Sequence, residues 1–155
     1  MRFTRLPRGF TLIEILVVLV IVGVFAGLAG LSIEGFQGRQ SQEDLARLRR
    51  LLEMAGDYAD THGTPLAVDF LPNGYRFSAL QTSGEWKLLF APSPFAERTW
   101  AGGVSVNSLE VDGIPVEAPQ RIVFSTETPE YRLRLTTPEG SKQILGRISG
   151  AVEVE

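Results

Sequence analysis

No cysteine occurs in the 155 residues, so disulfides, thiolate metal sites and cysteine nucleophiles are excluded, and an exported domain must rely on its apolar core. Histidine is nearly absent as well. His62 stands alone, no paired-histidine metal motif can form, and no Gly-x-Ser-x-Gly is present, which leaves an enzyme reading without chemistry to build on. Proline is missing from the interval between Pro7 and Pro65, which permits one helix from about Phe10 to His62. Charge is missing too: from Phe10 to Leu31 only Thr11 and Glu14 interrupt an apolar run.

As a helix rising about 1.5 Å per residue, that run spans roughly 33 Å, enough to cross a hydrocarbon core of about 30 Å. Residues 10–31 are therefore expected to form a transmembrane segment. Ahead of it lie Arg2, Arg5 and Arg8 with no acidic residue, which keeps the amino terminus cytoplasmic and sends the remainder outward. A carboxylate within such a segment costs roughly 2.5–3.5 kcal/mol on insertion scales unless it is paired, so Glu14 reads as functional by default. Gly23 and Gly27 form a small-xxx-small spacing that lets helices approach closely in lipid. Gly35 and Gly38 suggest a bend beyond the apolar run.

The short basic leader, Gly9, and then Phe10-Thr11-Leu12-Ile13-Glu14 opening the apolar run resemble the type IV pilin-like signal. The resemblance implies that a membrane prepilin peptidase cuts between Gly9 and Phe10 and methylates the new amine on Phe10. The apolar segment is then retained, unlike an ordinary secretory signal, whose small-residue cleavage site Gly27-Leu28-Ala29 could imitate. An N-methylated amine keeps its positive charge, and opposite charges in low dielectric attract strongly. Glu14 is thus expected to meet the amine of a neighbouring subunit and to register that subunit during filament assembly.

Beyond the membrane segment the helix becomes amphipathic over 32–62. Leu45, Leu48, Leu52, Ala55 and Ala59 fall at three- and four-residue spacing, joined by Leu51 and Tyr58, and predict a stripe that packs on a sheet. His62-Gly63-Thr64-Pro65 stops the helix, with His62 read as a surface or cap residue. Residues 63–155 then read as a β-rich domain of seven or eight short strands. Leu66, Val68 and Phe70 alternate with Ala67 and Asp69, and Leu71-Pro72-Asn73-Gly74 turns the chain into Tyr75, Phe77 and Ala79. Further strands are expected at Trp86–Phe90, Val104–Val111 (one or two), Arg121–Phe124, Tyr131–Leu135, Gln143–Ile148 and Ala151–Val154. Ala91–Gly103 is the longest expected loop. The class is α+β: a long amino-terminal helix, its first half transmembrane, packed on an antiparallel sheet or a two-sheet sandwich.

The helix ending near Gly63-Thr64-Pro65, then Leu-Ala-Val-Asp-Phe, Asn-Gly-Tyr-Arg-Phe, Trp86, Ile-Val-Phe and Tyr-Arg-Leu-Arg-Leu, is similar to the H-type minor pseudopilins of type II secretion. It departs from many relatives at Ser125–Pro129, where they carry a Pro-x-Gly turn. The resemblance implies a pilin-like fold and a structural subunit of the inner membrane, single-pass, with a periplasmic domain. Its implied partners are the prepilin peptidase, other minor and major pseudopilins and the inner-membrane assembly platform, with the secretin and exported proteins beyond them. No cofactor and no metal are implied. Minor type IV pilins of fimbrial or competence systems share the pattern and stay open as the alternative.

Removing the leader takes the 15 basic residues to 12 against 18 acidic, so the mature chain is net about −6 and lacks a general nucleic-acid footprint. A local basic patch would require Arg121, Arg132, Arg134 and Lys142 to lie on adjacent strands; otherwise they are solvated strand faces. Asp112, Glu117, Glu127, Glu130 and Glu139 sit beside turns without the ligand spacing of a calcium loop.

Overall fold

The computed structural model describes residues 11–155, the side chains of residues 28–37 excepted. The chain divides into two compact units between Phe36 and Gln37. Helix α1 is assigned over Leu12–His62, with Gly35 and Gly38 both inside the helical assignment. In the first unit the described apolar side chains, from Leu12 to Phe25, are all exposed. The described apolar stretch Leu12–Gly27 amounts to about 24 Å of helix. Among the described residues no helix is long and apolar enough to cross a membrane. The rest of the expected 10–31 segment, and residues 1–9, lie outside the described residues.

The second unit pairs the carboxyl-terminal part of α1 with ten strands in two antiparallel sheets. The strands are β1 (Leu66–Leu71), β2 (Gly74–Leu80), β3 (Trp86–Leu88), β4 (Arg98–Thr99), β5 (Ser105–Val111), β6 (Ile114–Val116), β7 (Arg121–Phe124), β8 (Tyr131–Thr137), β9 (Gly140–Gly146) and β10 (Val152–Val154). One sheet runs β3-β2-β1-β7, with β4 also paired to β2; the other runs β10-β9-β8-β5-β6.

A single core joins helix and both sheets. Leu45, Leu48, Leu52, Ala55 and Ala59 are buried, as the stripe predicts, against Leu66, Val68 and Phe77 of the first sheet and Leu109, Leu133 and Ile144 of the second. Phe124 and Tyr131 meet edge to face across the sheets, ring centres 6.0 Å apart. Strand β8 alternates buried and exposed without a break, so Arg132 and Arg134 do face solvent.

Strand β3 ends at Leu88 rather than Phe90, β9 runs over Gly140–Gly146 rather than Gln143–Ile148, and two strands are additions to those expected. The loop 91–103 contains β4, which pairs Thr99 with Gly74 and Arg98 with Tyr75. Gly74 is required by this close approach rather than by the turn before it: a Cβ there would run into the Arg98 carbonyl. Strand β6 is the second addition. Asp112 (φ 51°) and Gly113 (φ 76°) make the two-residue connection from β5, both in the left-handed region that favours this hairpin turn.

Candidate functional site

Of the residues singled out in the sequence, Glu14 lies in the first turn of α1. Thr11 directly precedes the first helical residue, and Glu14 is the third residue of the helix, the Thr-x-x-Glu spacing of a capping box. The Glu14 amide donates to Thr11 Oγ1 at 3.4 Å and the Thr11 amide to Glu14 Oε2 at 3.5 Å. The Glu14 amide also donates to the Thr11 carbonyl at 3.0 Å. The Thr11 amide, without another partner among the described residues, is thereby given an acceptor, and the carboxylate sits where the helix dipole favours negative charge. This arrangement was legible in the Thr-x-x-Glu spacing but was not anticipated there.

Both side-chain bonds are long, and Glu14 is exposed with no other partner among the described residues. Its carboxylate is held at the helix start and open to a stronger cationic partner. The junction Gly9–Phe10 lies outside the described residues. Gly23 and Gly27 are on an open surface: a Cβ added at either meets nothing within 4 Å. The small-residue spacing is therefore not consumed by packing within the described chain.

In the second unit several charged side chains are engaged with one another. Asp69 is buried on the outer face of the first sheet, where Arg121 donates to both of its oxygens at 2.6 and 2.9 Å and Arg76 lies 3.6 Å away. The hydrogen bond to Asp69 holds the Arg121 guanidinium above its ordinary pKa, and the guanidinium stacks over Trp86 at 5.5 Å. Arg132 and Arg134 share Glu110 at 2.9 and 3.7 Å on the other sheet. Of the four cations considered for a basic patch, Arg121 lies on the first sheet and Arg132, Arg134 and Lys142 on adjacent strands of the second, where Arg132 and Arg134 share Glu110; the four are not brought together.

Asp44 has a role that the sequence did not signal. Although charged, it is buried on α1 and accepts from the amides of Ala101 and Gly102 at 2.8 and 3.1 Å. The end of the loop 91–103 is thereby fastened to the helix, and a Cβ on Gly102 would collide with the backbone of Ser41. His62 stacks on Tyr58, ring centres 4.1 Å apart, at the end of α1. Among the described residues no group of three or more His, Asp or Glu could hold a metal ion.

Residues 5–30 match the model of the prokaryotic N-terminal methylation motif. The chain also shares its fold with the minor pseudopilin EpsH from the type 2 secretion system of Vibrio cholerae. That similarity has a TM-score of 0.59 at 14% identity and covers 75% of this chain and 96% of the other. No curated protein matches the chain significantly. The fold is pilin-like α+β, an amino-terminal helix packed on antiparallel sheets.

Proposed function

We propose that the chain is an H-type minor pseudopilin, a structural subunit without catalysis of its own that helps to initiate or cap the periplasmic pseudopilus of a type II secretion system. One observation carries the reading: a methylation motif over residues 5–30 and a fold similar to a minor pseudopilin occur on the same chain. Each alone is shared more widely.

In this reading prepilin peptidase cleaves between Gly9 and Phe10 and methylates the Phe10 amine. Residues 10–31 stay in the inner membrane and the carboxyl-terminal domain lies in the periplasm. The capping box supports a role for Glu14, because it keeps the carboxylate at the helix start without saturating it. An amine from a neighbouring subunit offers a charge-assisted bond in low dielectric, worth more than a 3.5 Å bond to a backbone amide. Gly23 and Gly27 would allow close approach of neighbouring membrane helices. Other minor and major pseudopilins and the inner-membrane assembly platform are the direct partners, with the secretin and exported proteins further along.

Deleting the gene and measuring both secreted protein and surface pili tests the assignment. Lost secretion with normal pili is expected; lost pili with normal secretion would transfer the chain to the minor type IV pilins. Glu14→Leu tests the role of the carboxylate. Processing should remain intact while incorporation into the filament falls, and full incorporation of the variant would remove Glu14 from the assembly mechanism.

A further inference from the structure

The first sheet is open at β7. Phe70 donates its amide to the Gln120 carbonyl at 2.9 Å, and β1 pairs Val68 with Ile122 and Leu66 with Phe124. In an antiparallel ladder hydrogen-bonded pairs alternate with non-bonded ones, so Ile122 and Phe124 bond to β1. Arg121 and Val123 turn their amides and carbonyls the other way, off the edge of the sheet. No backbone or side-chain partner meets these groups among the described residues. Val123 is 41% exposed.

This edge borders a cleft of about 1010 Å³, bounded by the last turns of α1, the β5–β6 hairpin of the other sheet and the loop after β7. Its walls carry Asp57, Asp60, Asp112 and Glu127. Among the described residues the one cation in the lining is Arg121, already bonded to Asp69. Exposed apolar surface is supplied by Val123 and Ile148. Exposed edges invite pairing with another strand, and natural sheets commonly blunt them with charge or proline on the edge strand. Here the only charge on β7 is tied down by Asp69.

We propose that β7 is a docking edge for an extended segment of a partner protein, one that alternates apolar residues with lysine or arginine. The segment adds to the first sheet antiparallel or parallel to β7, its backbone bonding to Arg121 and Val123. Its basic side chains face the four carboxylates of the cleft. Main-chain bonding supplies affinity in such strand addition, and alternate side chains supply selectivity. Charge complementarity excludes a second copy of this chain as the natural occupant, because two β7 edges paired together would bring two acidic clefts into apposition. The inference rests on the second unit alone and is independent of the filament reading.

The test uses the full chain in detergent micelles, with the peptide Lys-Val-Lys-Val-Lys-Val as probe and Glu-Val-Glu-Val-Glu-Val as its counterpart. Amide exchange is read residue by residue. The basic peptide is expected to slow exchange at Arg121 and Val123 by about tenfold or more, the change that accompanies 1.4 kcal/mol of protection, and the acidic peptide to leave it unchanged. Val123→Pro removes an outward amide without removing a bond to β1, a position where edge strands tolerate proline. It should abolish the effect while Ile122 and Leu133 stay protected, which shows that the variant is folded. Equal protection by both peptides, or undiminished binding by Val123→Pro, would overturn the proposal. Concentration-dependent dimerisation lost in Val123→Pro would overturn the choice of occupant in favour of a second copy.

Discussion

Two stretches of one helix, built from similar apolar residues, have opposite environments. From Leu12 to Phe25 every large apolar side chain is exposed, Leu16 by 56%, whereas from Leu45 to Ala59 the stripe is closed, with Leu48 at 0%, except at Tyr58, which was expected to join it and is 37% exposed. Periodicity accounts for the difference. The first stretch is apolar on all sides, so a core covering one face would leave the rest uncovered; in the proposed reading its surroundings are lipid and neighbouring helices. The second has one apolar face between charged ones, such as Glu43 and Arg47, and two sheets supply the matching surface. The first is written for what lies outside the chain, the second for the chain itself.

The largest test of that contrast is Leu48→Ala. Removing a fully buried leucine should cost about 2–5 kcal/mol, read by urea denaturation of the full chain in detergent micelles. A loss below about 1 kcal/mol would break the comparison from the packed side. A somewhat smaller effect is expected in alkali. Burial pushes the Tyr75 hydroxyl up to about 12 from an ordinary 10, and burial moves Tyr131 in the same direction. Above pH 10 the unfolded chain releases a proton that the folded one keeps. Stability is therefore unaffected below pH 10 and falls between pH 10 and 12, by about 2–3 kcal/mol from Tyr75. Tyr75→Phe should flatten this slope, leaving only the part due to Tyr131; an unchanged slope would show that Tyr75 does not carry it.

Next in size is Asp44→Ala, expected to cost about 1–3 kcal/mol by leaving two buried amides without an acceptor. Exchange at Ala101 and Gly102 should quicken, and Asp44→Asn, which keeps an acceptor oxygen, should lose less. If Asp44→Ala left those amides protected, the loop would be held by other contacts, such as Tyr75 against Trp100 at 4.9 Å.

What the sequence revealed follows the range over which its signals act. The helix stripe, the β1–β2 hairpin and the alternation of Tyr131–Leu135 depend on neighbours a few positions apart, and all three stand in the structure. Strand β4 is two residues long and exists because Gly74, some two dozen positions earlier, admits it. Strand β6 had its own signal in Asp112-Gly113, but Pro115 weakens the strand pattern and belongs there because β6 lies at a sheet edge. Asp44 and Asp69 were least legible. A charged residue in a polar-looking position reads as surface until its partners, here the Ala101 and Gly102 amides and the Arg121 guanidinium, are known. At the start of α1 the Thr-x-x-Glu spacing was local and readable, whereas the partner that the proposed function gives Glu14 lies on another chain and has no signal in this one.

The smallest expected effect is the most discriminating. Leu16→Ala deletes the same atoms as Leu48→Ala from the same helix, yet the Leu16 side chain is 56% exposed and has no place in the core. In detergent micelles, where surfactant covers the apolar segment in folded and urea-unfolded chain alike, the change should shift the unfolding free energy by no more than about 0.5 kcal/mol. A loss approaching that of Leu48→Ala would mean that the apolar stretch is stabilised by the chain's own domain, and the division between an outward-facing and an inward-facing part of the helix would fall. A negligible loss in micelles together with reduced incorporation in cells would locate the contribution of Leu16 in the assembly, where an all-round apolar surface can be used on every side.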